Sequence, residues 1–274
     1  MERMILYPGC LVLSRFHEYE VASRRILKKL GIEVLDMEDF CCCGSSLVPG
    51  VRKGWINLPA YSLARAERVG MDIITLCGSC TNTFLRANLL LGREPDLLKR
   101  VNTRLEKMGL RYTGNTTVRH ILEILVDAVD QIRESVVNPL RFTVALSHPC
   151  QIMRPSEIVG KRNPLNFQAM REIVTALGAE VVDYLAEQDC CGSTILLSDK
   201  AMALEVGRRK LNSAIEAGAA VVCVCCGNCL LLLDRYQGQM VLKNGGKRMP
   251  LISLPQLIGL ACGFPQDEMG VFHQ

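Results

Sequence analysis

A chain of 274 residues, 49% hydrophobic and 22% charged, is long enough for one large domain or two modest ones and carries no signature of disorder. Its net charge of +4 is too mild to imply a polyanionic partner; the basic bursts (Arg24, Arg25, Lys28, Lys29; Arg208, Arg209, Lys210) fall at helical spacing, as on a solvated face, and no nucleic-acid-binding signature accompanies them. No apolar run approaches the roughly 20 residues of a membrane helix, and Met1-Glu2-Arg3-Met4 does not open a secretory leader, so a cytoplasmic protein without a membrane span is expected.

In chain order, residues 3–9 read as a buried strand ending in a turn that delivers Cys10. His17–Leu30 has a helical apolar period with Gly31 as its cap, and Ile32–Leu35 is a second strand leading to Cys41-Cys42-Cys43-Gly44. A helix over Leu58–Val69 and a strand over Met71–Leu76 then deliver Cys77-Gly78-Ser79-Cys80, followed by a helix over Thr81–Leu91. Residues 93–140 lack cysteine; Pro95–Met108 and Val118–Ser135 have helical spacing, which predicts a helical connector.

The plan then restarts. Phe142–Ser147 is a strand into His148-Pro149-Cys150, Phe167–Leu177 a helix, and Glu180–Tyr184 a strand before Cys190-Cys191-Gly192. Ala201–Ala217 is a helix, Ala219–Val224 a strand into Cys226-Gly227-Asn228-Cys229, and Met249–Phe264 holds one more short element. Alternating strands and helices predict an α/β fold of two pseudo-equivalent lobes with mainly parallel sheets, residues 1–92 and 141–274, joined by 93–140. Ligands of such sheets gather beyond the strand C-termini, where all the cysteine groups fall, so one site per lobe is expected.

The duplication extends to the residues. Leu30-Gly31-Ile32-Glu33-Val34-Leu35-Asp36 before the first cysteine pair matches Leu177-Gly178-Ala179-Glu180-Val181-Val182-Asp183 before the second. Ten of the 14 cysteines form two sets of five: a lone cysteine, 31 or 39 residues, a Cys-Cys pair, 33 or 34 residues beginning with Gly, and a Cys-Gly-x-Cys. A disulfide framework suits neither a chain without an export signal nor adjacent cysteines, whose mutual bond is strained. Four or five soft thiolates per site suit zinc or an iron–sulfur cluster, and a fifth ligand exceeds what a closed zinc site uses.

This duplicated pattern, from Leu6-Tyr7-Pro8-Gly9-Cys10 to Cys229, resembles the cysteine-rich CCG domain family, and most closely the B-type subunit of heterodisulfide reductase and its bacterial relatives. The resemblance implies a disulfide-reducing subunit with two noncubane 4Fe–4S clusters. Cys10, Cys42, Cys43, Cys77 and Cys80 would hold the first, and Cys150, Cys190, Cys191, Cys226 and Cys229 the second. It also implies that the two clusters flank one small disulfide or thiol substrate (CoM-S-S-CoB in the reference reaction) and split it with two electrons and two protons. With neither a C-x2-C-x2-C-x3-C-P run nor G-x-G-x-x-G, the chain is expected to bind no NAD or flavin. Electrons are then expected from a ferredoxin-like cubane-cluster partner (the C-type subunit of such reductases) wired to a flavoprotein (their A-type subunit).

Other residues carry weaker expectations. His148 is a candidate proton donor, weighed against a turn-capping role. Arg154 is a candidate contact for an anionic substrate, and Arg52, Lys53 and Trp55 sit in a loop where substrate contact competes with ordinary surface. Cys41, Cys223, Cys225 and Cys262 read as structural thiols, Pro49-Gly50 as a turn; His17, His120 and His273 receive no role. Three alternatives stand beside the reductase: an electron relay of the lactate, glycolate or glycerol-3-phosphate oxidation type, a sulfur-oxidising enzyme, and a zinc scaffold.

Overall fold

The computed structural model describes residues 2–37, 39–48, 54–160, 167–242 and 245–271; Pro49-Gly50, Arg52, Lys53 and His273 lie outside them. The first sheet contains β1 (Glu2–Tyr7), β2 (Ile32–Leu35), β3 (Ile73–Thr75) and β4 (Val118–His120) in the order β2-β1-β3-β4. The second contains β5 (Thr143–Ser147), β6 (Glu180–Val181), β7 (Val221–Val224) and β8 (Leu251–Ser253) in the order β6-β5-β7-β8. Every pairing in both sheets is parallel. The two sheets thus share one topology, as the repeat in sequence requires.

Parallel neighbours need helical crossovers, which cover both sheet faces. Met4, Ile5, Leu6 and Tyr7 of β1 are accordingly all buried. In the first lobe the helices are α1 (Cys10–Arg15), α2 (His17–Lys29), α3 (Asn57–Arg68), α4 (Gly78–Arg93) and α5 (Pro95–Leu105). After β4 come α6 (Ile121–Asp127) and α7 (Val129–Glu134). The second lobe has α8 (Ser156–Val159), α9 (Ala169–Ala176), α10 (Lys200–Glu216), α11 (Gly227–Leu230) and, after β8, α12 (Leu254–Ala261).

Helix α2 illustrates the local logic. Tyr19, Ala22, Ser23, Ile26 and Leu27 form its buried stripe, Glu18 and Glu20 occupy its first turn, and Lys28 and Lys29 its last, complementing the helix dipole. Gly31, at φ 80°, takes the left-handed turn that ends it. The repeated aspartates also find equivalent partners: Asp36 pairs with Arg24 of α2, and Asp183 with Arg171 of α9 at 2.6 Å.

Residues 93–140 are more than a connector. Val118-Arg119-His120, expected within one helix running to Ser135, forms the fourth strand of the first sheet, so that lobe runs past residue 92. The chain turns straight from β4 into α6 through a capping box, in which His120 Nδ1 accepts from Leu122 N–H at 3.2 Å and Glu123 accepts from the His120 N–H at 2.6 Å. Ser253 and Gln256 build the equivalent box between β8 and α12.

The lobes exchange their last helices. Helix α12 of the second lobe packs on α2 of the first, while α6 and α7 of the first pack on α9 of the second. Leu254, Leu257 and Ile258 are buried; covering side chains of this size contributes about 1.5–3 kcal/mol each. Among the described residues no helix is long and apolar enough to cross a membrane.

Candidate metal centres

Strands β1 and β3 are neighbours whose onward connections diverge, to β2 on one side and β4 on the other, which opens a crevice at their C-terminal ends. Cys10 begins α1 just beyond β1, and Cys77 caps the N-terminus of α4 just beyond β3. Gly9 between them has φ 85°, and a Cβ there would stand 3.0 Å from Cys80 Sγ, so both backbone and space demand glycine. The loop after β2 supplies Cys42 and Cys43, with the Gly44 N–H donating to Cys42 Sγ at 3.4 Å. In the second lobe Cys150 follows β5, Cys226 caps α11, and the Gly192 N–H donates to Cys190 Sγ, also at 3.4 Å.

Each of the ten cysteines predicted as ligands lies near enough to the next for their ionisations to be linked, in one unbroken string. It runs Cys10–Cys42–Cys43–Cys80–Cys77 in the first lobe. It crosses to Cys226 and continues Cys229–Cys191–Cys190–Cys150 in the second. The crossing joins Cys77 Sγ and Cys226 Sγ at 4.0 Å, and the Gly78 N–H of the first lobe donates to Cys226 Sγ at 3.3 Å. The two sets therefore meet at the lobe interface. Among the described residues no group of three or more His, Cys, Asp or Glu side chains closes around a point suited to a single metal ion.

Charge is unevenly shared along the string. Cys42 and Cys190, each between two thiol donors and beside a glycine N–H, are held down at about 2. Contact with Cys42 and Cys190, reinforced by burial, pushes Cys10 and Cys150 up, and Cys191 to about 12. Adjacent buried thiols cannot all ionise without positive charge among them. A polynuclear iron–sulfur group supplies that charge, and a soft all-thiolate donor set with glycine backbone N–H groups aimed at sulfur fits it.

Two of the cavities near the string lie at the lobe interface. One of about 220 Å³ is lined by all five first-lobe cysteines and closed by Ser193, Leu196, Leu197, Asn228 and Leu231 of the second. The other, about 690 Å³, lies between the lobes and shares Ser45, Ser46, Ser79, Ser193, Leu197 and Asn228 with the first. Thr83, Thr194 and Ser198 add hydroxyls to it, and Arg86 and Arg154 positive charge. Asn82 bridges the lobes here, donating to Gln151 O at 2.8 Å.

The secondary candidates fare differently. Arg154 does line the cleft, anchored through Gln188 O at 2.7 Å and stacked over Phe167. His148 is buried, with Nε2 3.0 Å from Glu187 Oε1, and is not among the cleft's lining residues. Burial lowers its pKa. Trp55 is buried in the core. Cys223 and Cys225 are fully buried, Cys225 3.7 Å from the Tyr19 hydroxyl, while Cys41 donates to Leu58 O. Arg86, Lys210 and His120 were not singled out by sequence. His120 is fully buried with Nε2 unpartnered among the described residues, and burial lowers its pKa to about 4.

Comparison with known proteins finds the same duplication. The cysteine-rich CCG domain family matches twice, over residues 4–85 and 144–234. The B-type subunit of the ferredoxin/F(420)H(2)-dependent CoB-CoM heterodisulfide reductase of Methanosarcina acetivorans is 32% identical over 99% of this chain and 93% of its own length. The chain belongs to the family of heterodisulfide reductase B-type subunits. This is a family of iron–sulfur oxidoreductase subunits with a duplicated CCG domain. Another relative of this B-type chain, the membrane anchor subunit of the 8-methylmenaquinol:fumarate reductase of Wolinella succinogenes, is 30% identical over 97% of this chain and 94% of its own. A crystal structure of a hypothetical protein from Helicobacter pylori has the same fold, with TM-score 0.77 at 17% identity; it matches 98% of this chain, which spans about half (51%) of that one.

Proposed function

We propose that the chain is the disulfide-reducing subunit of a cytoplasmic heterodisulfide reductase-like complex and holds two noncubane 4Fe–4S clusters. Cys10, Cys42, Cys43, Cys77 and Cys80 would hold one, and Cys150, Cys190, Cys191, Cys226 and Cys229 the other. The observation that carries this reading is the unbroken string of ten thiols beside a polar cleft between two equivalent lobes. When bound, such clusters supply one-electron chemistry and iron as a Lewis acid toward thiolate sulfur.

The chain's own residues set the rest. A disulfide takes up two electrons and two protons to give two thiols, and two cysteine sets meeting at one interface provide for a pair of one-electron inputs. Arg86 and Arg154 favour a disulfide with anionic ends, and the serine and threonine hydroxyls and Asn228 offer hydrogen bonds to its polar groups. The N–H groups of Gly44, Gly78 and Gly192 stabilise negative charge on sulfur. Electrons would come from a ferredoxin-like partner and, behind it, a flavoprotein. A CoB-CoM-type heterodisulfide, named for the Methanosarcina relative, is the reference substrate.

The test is compositional and spectroscopic. Anaerobically purified protein is expected to hold about eight iron atoms per chain with matching sulfide, and its EPR signal should change on adding a small anionic thiol or disulfide. Two zinc ions in place of iron would end the reading. A second reading, electron relay without disulfide chemistry, draws on the quinol:fumarate reductase relative; it predicts the same iron with an EPR signal indifferent to thiols.

A further inference from the structure

Lys210 of α10 is a lysine with 2% exposure. Its Nζ lies 2.8 Å from Ala186 O, 2.9 Å from Glu187 O and 2.9 Å from Asp189 O. Three acceptors around one nitrogen need three N–H bonds. An ammonium has three, whereas a neutral amine has two and a lone pair that would face a carbonyl. Burial lowers the Lys210 pKa, and against it the cage favours the charged form, with the Tyr184 ring, 5.4 Å from Nζ, adding its electron-rich face. The caging loop is the one that ends in Cys190 and Cys191, and the cation lies near enough to Cys229, Cys191 and Cys150 to feel their charge.

Glu187 and Asp183 share the one charge of Arg171, at 3.1 Å and 2.6 Å, and Asp189 also acts on Lys210 but is exposed. The first lobe repeats the shared arginine, with Glu20 and Asp36 on Arg24, so that arrangement does not distinguish the lobes.

Among the described residues, the first-lobe position equivalent to Lys210 carries no charge. Counting back eight residues from the helix-ending glycines, Gly218 and Gly70, sets Lys210 against Ser62. Counting back two from Cys191 and Cys43 sets Asp189 against Cys41. The structure confirms the correspondence, because Ser62 Oγ and Cys41 Sγ are 3.7 Å apart, where Lys210 meets the Asp189 carbonyl. One lobe thus holds a buried ammonium where the other holds a buried hydroxyl.

Resting on the proposal of one cluster per lobe, we propose that Lys210 is a fixed cation that raises the reduction potential of the second-lobe centre above that of the first. A positive charge in a low-dielectric site stabilises the reduced, more negative form of whatever cofactor the neighbouring thiolates hold. The two lobes are then alike in fold and unlike in redox poise. The first electron supplied by an external one-electron donor settles in the second lobe, and the second electron in the first.

The experiment is an EPR-monitored potentiometric titration, with dithionite as reductant, of anaerobic iron-loaded protein. Cys10→Ala and Cys150→Ala variants, which leave the Lys210 cage untouched, assign each signal to a lobe. The expected order is the second-lobe centre above the first. K210Q, which keeps donors for two carbonyls and loses the charge, should lower only the second-lobe centre, by tenfold or more in its one-electron equilibrium (59 mV); K210R should restore it. Equal potentials for the two lobes, or an iron-replete K210Q with an unmoved second-lobe centre, would overturn the inference. The order in the assigned variants decides it even if K210Q loses its iron. Wild-type protein without iron and sulfide would instead overturn the cluster reading beneath it, and the two failures are distinguished by metal content alone.

Discussion

Cys225 and Cys226 are neighbours in sequence with opposite fates. Cys225 faces inward from the end of β7, fully buried beside the Tyr19 hydroxyl, and burial pushes its thiol up to about 12. Cys226 turns into the string, touching Cys77 and Cys229 and receiving the Gly78 N–H. C225A is therefore expected to cost roughly 1 kcal/mol in denaturant unfolding, as a small core truncation does, and to retain full iron. C226A should lose iron from the second lobe, and from the first as well if the junction supports both; iron assays on the two variants check this. The register Cys-Gly-x-Cys made this choice legible in sequence, because the same spacing occurs in both lobes. Lys210 and His120 were not legible. A lysine in a basic burst reads as solvated until its carbonyl cage is seen, and a histidine three residues before a glutamate looks helical until a strand is found to end on it.

At the scale of elements, the two capping boxes differ by one charge. Glu123 fills the place that Gln256 fills in the second lobe. Burial raises the Glu123 pKa above its ordinary 4.5, outweighing the His120 N–H and Arg119, which lower it. The folded state thus holds this proton more tightly than the unfolded chain does. Its contribution is fully present below pH 4.5 and is lost as pH rises through the elevated value. E123Q is expected to raise the melting temperature at pH 7 and to flatten its decline between pH 4.5 and 7, measured by circular dichroism. The same junction explains the element that sequence misread: β4 is a three-residue strand, too short for any period to register, and the apolar spacing of the helix after it extends backward across it. The longer helices were legible because apolar stripes and terminal glycines agree, as in α2 and α3, while the short α1 and α8 carry too few turns to declare themselves.

At the scale of the whole molecule, the duplication in sequence announced two lobes but not their interlocking. Each lobe's last helices cover a helix of the other, so a half-chain would lose cover over an apolar surface that includes Leu254, Leu257, Ile258 and their counterparts Ile121, Ile124 and Leu125, all buried in the whole chain. Chains of residues 1–140 and 141–274 expressed separately are expected to bind a hydrophobic dye and show poor NMR dispersion, and to regain native dispersion when refolded together. Two half-chains that were each natively folded alone would contradict the exchange.

The 220 Å³ cavity of the first cysteine set has a consequence for the order of manufacture. Its far wall is Ser193, Leu196, Leu197, Asn228 and Leu231. During synthesis Cys10 leaves the ribosome with the opening strand, yet the chamber it belongs to stays open until residue 231 has emerged and docked. All five first-set cysteines precede that wall in the chain, so any metal they held would be enclosed only after residue 231 has docked.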